Sequence, residues 1–267
     1  MTGGDRPSAR VCVLGPSGRM GRAVLDAARG RDDLRITAAV DRPDAGGLGA
    51  AVADGVIATA DVEAGLAACD VYIDFTAPAA TRAVAEAAAR HRRAAVIGTT
   101  GLGSTDEAAV AALARVAPIV VAANFSLGVN LVLGMVRQAA RVLGPEWDAE
   151  VVETHHRAKR DAPSGTALMI ARAIAAGHGA DYDRVKRHTR DGEVGPRPRG
   201  EIGVSSVRGG DVIGEHTAYF FGAAERLEIS HRATSRVIFA AGALRAAAWA
   251  VRQPPGRYDM LDVLGLQ

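Results

Sequence analysis

The chain has 267 residues, enough to bury a sizeable core and at the length where one core begins to divide into two. Hydrophobic residues at 48% and charged residues at 23% describe an ordinary globular protein, which excludes the disordered and collagen-like classes. The 32 basic and 30 acidic residues leave a net charge of only +2, so no global field draws the chain to nucleic acid or to a membrane, and any preference for anions must be local.

In chain order, residues 1–10 mix Gly, Asp, Arg and Pro without an apolar run, so neither a secretory signal nor a membrane span is expected and the cytoplasm is the expected compartment. Residues 11–14 form a short apolar run that stops at the glycine turn of residues 15–21, and a helical pattern then continues to Gly30. A second strand over residues 34–40 ends in Asp41 and Arg42. The strand pattern repeats over residues 70–75, 95–98 and 119–122, with Ala-rich helical segments over residues 79–91 and 105–114 between them. Such alternation predicts a mostly parallel sheet with helices on both faces, because parallel strands need crossover connections. Cys12 and Cys69 stand alone beside apolar runs and read as buried, inert thiols.

The glycine turn carries the first chemistry. A turn between the first strand and a helix N-terminus offers backbone N–H groups and a positive dipole end to a pyrophosphate. The G-x-x-G-x-x-G spacing by itself also fits an ordinary tight turn, since Ser17 sits where the usual fingerprint has its second glycine. Asp41 adds weight, because an acid twenty residues after Gly21, at the end of the second strand, is placed to bind an adenosine ribose. Arg42 is suited to the 2′-phosphate of NADP whereas Asp41 favours NAD, so the pair points to mixed cofactor use; Arg42 also reads as a solvated surface arginine.

From Leu127 the pattern changes to a long helix ending at Leu143, a strand over residues 150–153, a polar stretch and a new helix near Ser164. Residues 203–208, 211–220 and 225–231 read as three strands of an antiparallel meander, and residues 187–200, with two prolines and three glycines, as a surface loop. The last apolar helix, residues 235–251, is assigned back to the first domain. The expected fold is therefore α/β: a Rossmann-type dinucleotide-binding domain of residues 1–126 with 237–267, plus a smaller α+β domain of residues 127–236.

The most informative segment runs from Glu153 to Ala167. It leaves a strand and enters a helix, so its polar groups gather where α/β sites are built. Ser164 is a good N-cap, and Gly165 and Thr166 would present first-turn N–H groups to a carboxylate. Lys159 is one of only two lysines among the 32 basic residues, and lysine, unlike arginine, can release a proton. His155 and His156 are adjacent, so extended backbone turns them to different partners. Helical zinc motifs space their histidines four apart and no other His or Cys pair supports a site, so no metal is expected.

The E-x-H-H-x-x-K-x-D-A-P-S-G-T-A run resembles the signature of the 4-hydroxy-tetrahydrodipicolinate reductase (dihydrodipicolinate reductase) family. The likeness continues in residues 15–21, 98–101, 122–130 and 214–217, in order along most of the chain. It implies NAD(P)H-dependent reduction of 4-hydroxy-tetrahydrodipicolinate to tetrahydrodipicolinate in the diaminopimelate and lysine pathway. By the same resemblance His155 is a proton donor or acceptor, Lys159 a proton donor, and His156, Gly165 and Thr166 bind substrate. The cofactor, NADH or NADPH, would be held by Gly15, Pro16, Ser17, Gly18, Arg19, Met20, Asp41, Arg42, Gly98, Thr99, Thr100, Ala122, Ala123, Asn124 and Phe125. The implied assembly is a homotetramer joined through the sheet of the second domain. Pro16-Ser17 and Tyr219-Phe220-Phe221 are bulkier than the family pattern at those places. Two rivals share the glycine turn: another two-domain NAD(P)-dependent amino-acid or imine dehydrogenase, which has no need of the His-His-x-x-Lys-x-Asp run, and a non-enzymatic dinucleotide sensor, which would carry a helix-turn-helix or basic patch.

Overall fold

The computed structural model describes residues 8–266; residues 1–7 and 267, assigned above to the first domain, lie outside the described residues. The chain forms two compact units, one running up to Ser126 and taking up Val237–Gly265, the other built from Leu127–Arg236 with Leu266.

In the first unit the strands and helices alternate as β1 (Ala9–Leu14), α1 (Arg19–Ala28), β2 (Leu34–Val40), β3 (Ala51–Ala53), β4 (Val56–Thr59), α2 (Val62–Ala67), β5 (Val71–Asp74), α3 (Pro78–His91), β6 (Ala94–Ile97), α4 (Ser104–Ala114) and β7 (Pro118–Val121). The eight-stranded sheet is completed from the far end of the sequence and has the order β13-β7-β6-β5-β1-β2-β4-β3, where β13 is Gly256–Tyr258. All its pairings are parallel except that of β3 with β4. The order runs outward from β1 in both directions, to β2 on one side and β5 on the other. The crevice beyond the carboxyl ends of β1 and β5 is therefore where a ligand is expected.

The sequence explains the burial. Strands β5 and β6 are buried at every position, as continuous apolar runs covered on both faces by helices should be. Helix α3 starts on Pro78 at its first turn and ends on Arg92 in the left-handed region, with two basic residues in its last turn. The return helix α8 (Val237–Ala250) is apolar nearly all round and packs on α1 and on β1, β5, β6 and β7. At Gly242 it comes so close to the Phe125 carbonyl oxygen that a Cβ there would lie 1.7 Å away.

In the second unit the elements are α5 (Leu127–Leu143), β8 (Asp148–His155), α6 (Gly165–Gly177), α7 (Tyr182–Val185), β9 (Lys186–Arg187), β10 (Ile202–Arg208), β11 (Gly214–Phe221) and β12 (Arg226–Ala233). Their sheet has the order β12-β11-β8-β10-β9. The expected meander is corrected here. β10 and β11 do not pair with each other; β8 lies between them, parallel to β10 and antiparallel to β11. The Gly209-Gly210 dipeptide therefore opens a connection that passes β8 rather than a hairpin. Only β11 and β12 form the antiparallel pair expected. β8 alternates strictly between buried and half-buried residues, so Val151, Glu153 and His155 share the buried face.

Candidate active site

The first group of expected residues is built on the turn after β1. Gly15 has φ +65°, a conformation that a side chain would strain, and its N–H donates to the Val40 carbonyl oxygen at 2.8 Å. Gly21, in the first turn of α1, lies against that turn so closely that a Cβ would sit 2.1 Å from the Gly15 carbonyl oxygen. Gly18 caps α1 without a side chain, so the N–H groups of Arg19 and Met20 face outward from an uncovered helix end. Asp41, at the end of β2, accepts hydrogen bonds from the N–H of Ser17 at 3.0 Å and of Arg42 at 2.9 Å, which ties the glycine turn to the second strand.

A cavity of about 680 Å³ opens beside this turn and is mostly apolar. Gly15, Ser17, Gly18, Asp41 and Arg42 line it, together with Phe75, Thr76 and Ala77, which follow β5, and Ala80, Ala83 and Val84 of α3, to which the sequence reading gave no role. Gly98, Thr99 and Thr100 follow β6, and Ala122, Ala123, Asn124 and Phe125 follow β7. The parallel topology places them on the same edge of the sheet, though outside the lining of this cavity. Arg42 is exposed, and its Nε pairs with Asp44 at 3.0 Å.

Asp74 holds this edge together and was missed from the sequence. It is fully buried and accepts hydrogen bonds from the Thr76 N–H (2.8 Å), the Thr76 hydroxyl (2.6 Å), the Thr81 hydroxyl (2.6 Å) and the Thr99 hydroxyl (3.2 Å). Thr76 in turn packs against Gly15, and the Gly98 N–H donates to the Asp74 carbonyl oxygen. One carboxylate thereby fixes the ends of β5 and β6 beside the glycine turn. The available signal was an acid closing the apolar run Val71-Tyr72-Ile73, with threonines two and seven residues later.

The second constellation sits at the end of β8. His155 is 8% exposed, and its Nδ1 lies 2.5 Å from Glu153 Oε2. Glu153, fully buried, also accepts a two-pronged contact from Arg208, Nη1 to Oε2 at 2.8 Å and Nη2 to Oε1 at 2.7 Å, and the Ser164 N–H at 3.1 Å. Burial works to raise the Glu153 pKa, but hydrogen bonds from Arg208, Ser206 and His155 prevail and hold it down to about 2. Burial lowers the His155 pKa from its ordinary value, against the pull of Glu153. The His155 ring stands edge-on to His216, centroids 5.1 Å apart, and burial pushes the His216 pKa to about 4. Burial therefore favours the neutral form of both imidazoles.

Ser164 joins these groups to the next helix. Its hydroxyl caps α6 through the Ala167 N–H at 3.1 Å and lies 3.0 Å from His216 Nε2. Gly165 occupies the first turn of α6, where an added Cβ would meet nothing within 4 Å, so the helix end is open to a guest; Thr166 follows it. Lys159 is largely covered, and its ammonium pairs with Asp161 at 2.9 Å. The His156 backbone N–H is anchored on the Val212 carbonyl oxygen at 2.7 Å. His155 thus ends β8, Gly165 and Thr166 begin α6 and Lys159 lies on the connection between them, and the structure adds Glu153, Arg208 and His216 from three strands. Arg208 and His216 lie more than fifty residues from Glu153 in sequence, and the misread strand order concealed them.

The family models "Dihydrodipicolinate reductase, N-terminus" and "Dihydrodipicolinate reductase, C-terminus" match residues 9–125 and 128–264. A 4-hydroxy-tetrahydrodipicolinate reductase of Alkalilimnicola ehrlichii is 48% identical over 266 residues, covering 97% of this chain and 100% of its own length. One of Anaeromyxobacter is 47% identical over 262 residues, covering 96% and 98%. Among solved structures, a dipicolinate-bound dihydrodipicolinate reductase from Paenisporosarcina matches with a TM-score of 0.79 and 25% identity, covering 96% of this chain and 98% of that one.

Proposed function

Since the chain belongs to the dihydrodipicolinate reductase family, we infer that it catalyses the NAD(P)H-dependent reduction of 4-hydroxy-tetrahydrodipicolinate to tetrahydrodipicolinate in diaminopimelate and lysine biosynthesis. The observation that carries this reading is the convergence of Glu153, His155, Lys159 and the open first turn of α6 in a chain matched along nearly its whole length.

The residues fit a dinucleotide: the Gly15 to Gly21 turn admits no Cβ at Gly21, the end of α1 is uncapped, and a mostly apolar cavity lies alongside. Gly15, Pro16, Ser17, Gly18, Arg19 and Met20 would hold the pyrophosphate, Asp41 the ribose, and the turns containing Gly98, Thr99, Thr100 and Ala122, Ala123, Asn124, Phe125 the remainder. When bound, the reduced nicotinamide supplies a hydride to the substrate ring. The N–H groups of Gly165 and Thr166, with His156, bind a substrate carboxylate, as a helix N-terminus suits an anion. Overall the ring loses its 4-hydroxyl as water and one proton is consumed, so the site needs a donor and an acceptor. Lys159 is the donor once its ammonium leaves Asp161, and His155 exchanges the other proton. We also place the enzyme in the cytoplasm, with its cofactor supply; no helix among the described residues is long and apolar enough to cross a membrane.

A coupled assay with freshly generated substrate tests the reading by following NADH and NADPH oxidation. Both cofactors should be oxidised, and Arg42→Ala should raise the KM for NADPH severalfold while sparing NADH. Oxidation of neither cofactor overturns the function; equal losses for both in Arg42→Ala remove Arg42 from the 2′-phosphate site.

A further inference from the structure

We propose that Glu153, gripped by Arg208, is a positioning residue that holds His155 as its Nδ1–H tautomer, so that Nε2 accepts a proton during turnover and donation is left to Lys159. The proposal deepens the reductase reading and rests on it for the identity of the reaction.

The argument is one of donors and acceptors. Five donors converge on Glu153: two guanidinium N–H groups of Arg208, the Ser164 backbone N–H, the Ser206 hydroxyl and His155 Nδ1. Three of them can only donate, so the carboxyl group meets them as a carboxylate, and a carboxylate can only accept. The proton in the 2.5 Å contact therefore belongs to Nδ1. A neutral imidazole carries one N–H, which leaves Nε2 bare. Nε2 is also the atom the fold leaves room for: a Cβ at position 214 would lie 2.9 Å from it, and the residue there is glycine.

Arg208 strengthens the arrangement. Without it the buried carboxylate keeps only Ser164, Ser206 and His155 as donors, so its pKa rises and the ion is held less firmly, though it remains the acceptor for the Nδ1–H at neutral pH. With it, the negative charge is already in place when Nε2 takes a proton, and the resulting imidazolium forms beside an ion with no reorganisation. The groups around His155 set its proton affinity in opposite senses. Burial, Lys159 on the loop after β8 and Arg208 on β10 weaken it, while Glu153 on β8 strengthens it. His216 on β11 stands edge-on and is itself kept neutral by burial, with His231 on β12 beyond it.

The first test needs no turnover. Full-length protein labelled with ¹⁵N-histidine, free of dinucleotide and substrate, is examined by long-range proton–nitrogen correlation. His155 is expected to carry its proton on Nδ1 alone at neutral pH, and Glu153→Gln to lose that fixed tautomer. In turnover, Glu153→Gln should lower kcat about 10²-fold or more with the KM for NADH unchanged. The acidic limb of kcat/KM should move to lower pH in Glu153→Gln, where the imidazolium loses its carboxylate, and to higher pH in Arg208→Met, where a neighbouring cation is lost. General loosening of the site does not produce opposite shifts. Should Glu153→Gln fail to fold, the wild-type spectrum and the Arg208→Met limb decide the matter. A wild-type Nε2–H tautomer, an unchanged kcat in Glu153→Gln, or limbs moving the same way would overturn the proposal. A fixed Nδ1–H tautomer in a protein that reduces no substrate would count against the reductase reading alone.

Discussion

Lys159 is rare by composition and placed by structure, which makes it the sharpest residue to change. Lys159→Ala should lower kcat by roughly 10² to 10⁴ if the ammonium donates the proton. Lys159→Arg keeps the charge and removes the transferable proton, so it should remain nearly as slow, with NADH binding intact in both variants. Near-normal turnover of the arginine variant with fresh substrate would end the donor assignment. At this scale the sequence was informative where chemistry is local. His155, Lys159, Ser164 and Gly165 lie within eleven residues, and their spacing on a strand end and a helix start is readable without a fold. Glu153, Arg208, His216 and Asp74 were not readable as a site, because each acts through partners that only tertiary pairing supplies.

Among the elements, α1 depends most on one small residue. Gly21→Ala would drive a Cβ to 2.1 Å from the Gly15 carbonyl oxygen, so the helix must move off the turn. The expected result is a loss of about 1–3 kcal/mol of stability and a rise in KM for NADH and NADPH alike. A thermal melt and cofactor kinetics indistinguishable from wild type would refute the tight packing. The same scale shows why half the topology was legible. In the first unit each strand is followed by its crossover, so sequence neighbours become structural neighbours, and β2, β5, β6 and β7 lie within a residue or two of where periodicity puts them. The short β3, β4 and α2 carry too few residues for a period to register, and went unread. In the second unit β8 inserts between two later strands, and no local pattern records that two runs separated by Gly209-Gly210 are two strand positions apart in the sheet.

For the whole molecule, buried neutral histidines and a buried carboxylate make stability depend on pH in one direction. His216 falls from an ordinary 6.5 to about 4 on folding, so between those values the unfolded chain binds more protons than the native one. Its contribution is complete above pH 6.5 and is lost as pH falls towards 4, by about 3 kcal/mol at most. His155, His178 and His231 shift the same way, and Glu153, held at about 2 against an ordinary 4.5, adds a further loss below pH 4.5. Chemical denaturation should show stability declining steadily from pH 7 to pH 4, less steeply in His216→Asn; a flat profile contradicts the burial of these rings. Assembly is the second expectation at this scale. The helices α5 and α6 cover one face of the second unit's sheet, while the other carries Val152, Thr217 and Ser230 in register across three strands, with Val207 and Phe221 exposed. That face fits the proposed homotetramer, and a solution mass of monomer alone at micromolar concentration would exclude it.

The first unit is closed by α8 and β13, which come after the second unit in the sequence. A ribosome therefore releases the pieces in an order the finished fold does not respect. When Ser126 has emerged, the glycine turn and most of the parallel sheet exist, but β7 lacks its outer neighbour and one side of the sheet lacks the apolar helix that covers it. The second unit, continuous from Leu127 to Arg236, can mature in that interval while the first waits with an exposed apolar face. A nascent chain stalled before residue 237 should consequently recruit holding chaperones through its first 126 residues, and a circular permutant opened at Leu127 should dispense with them.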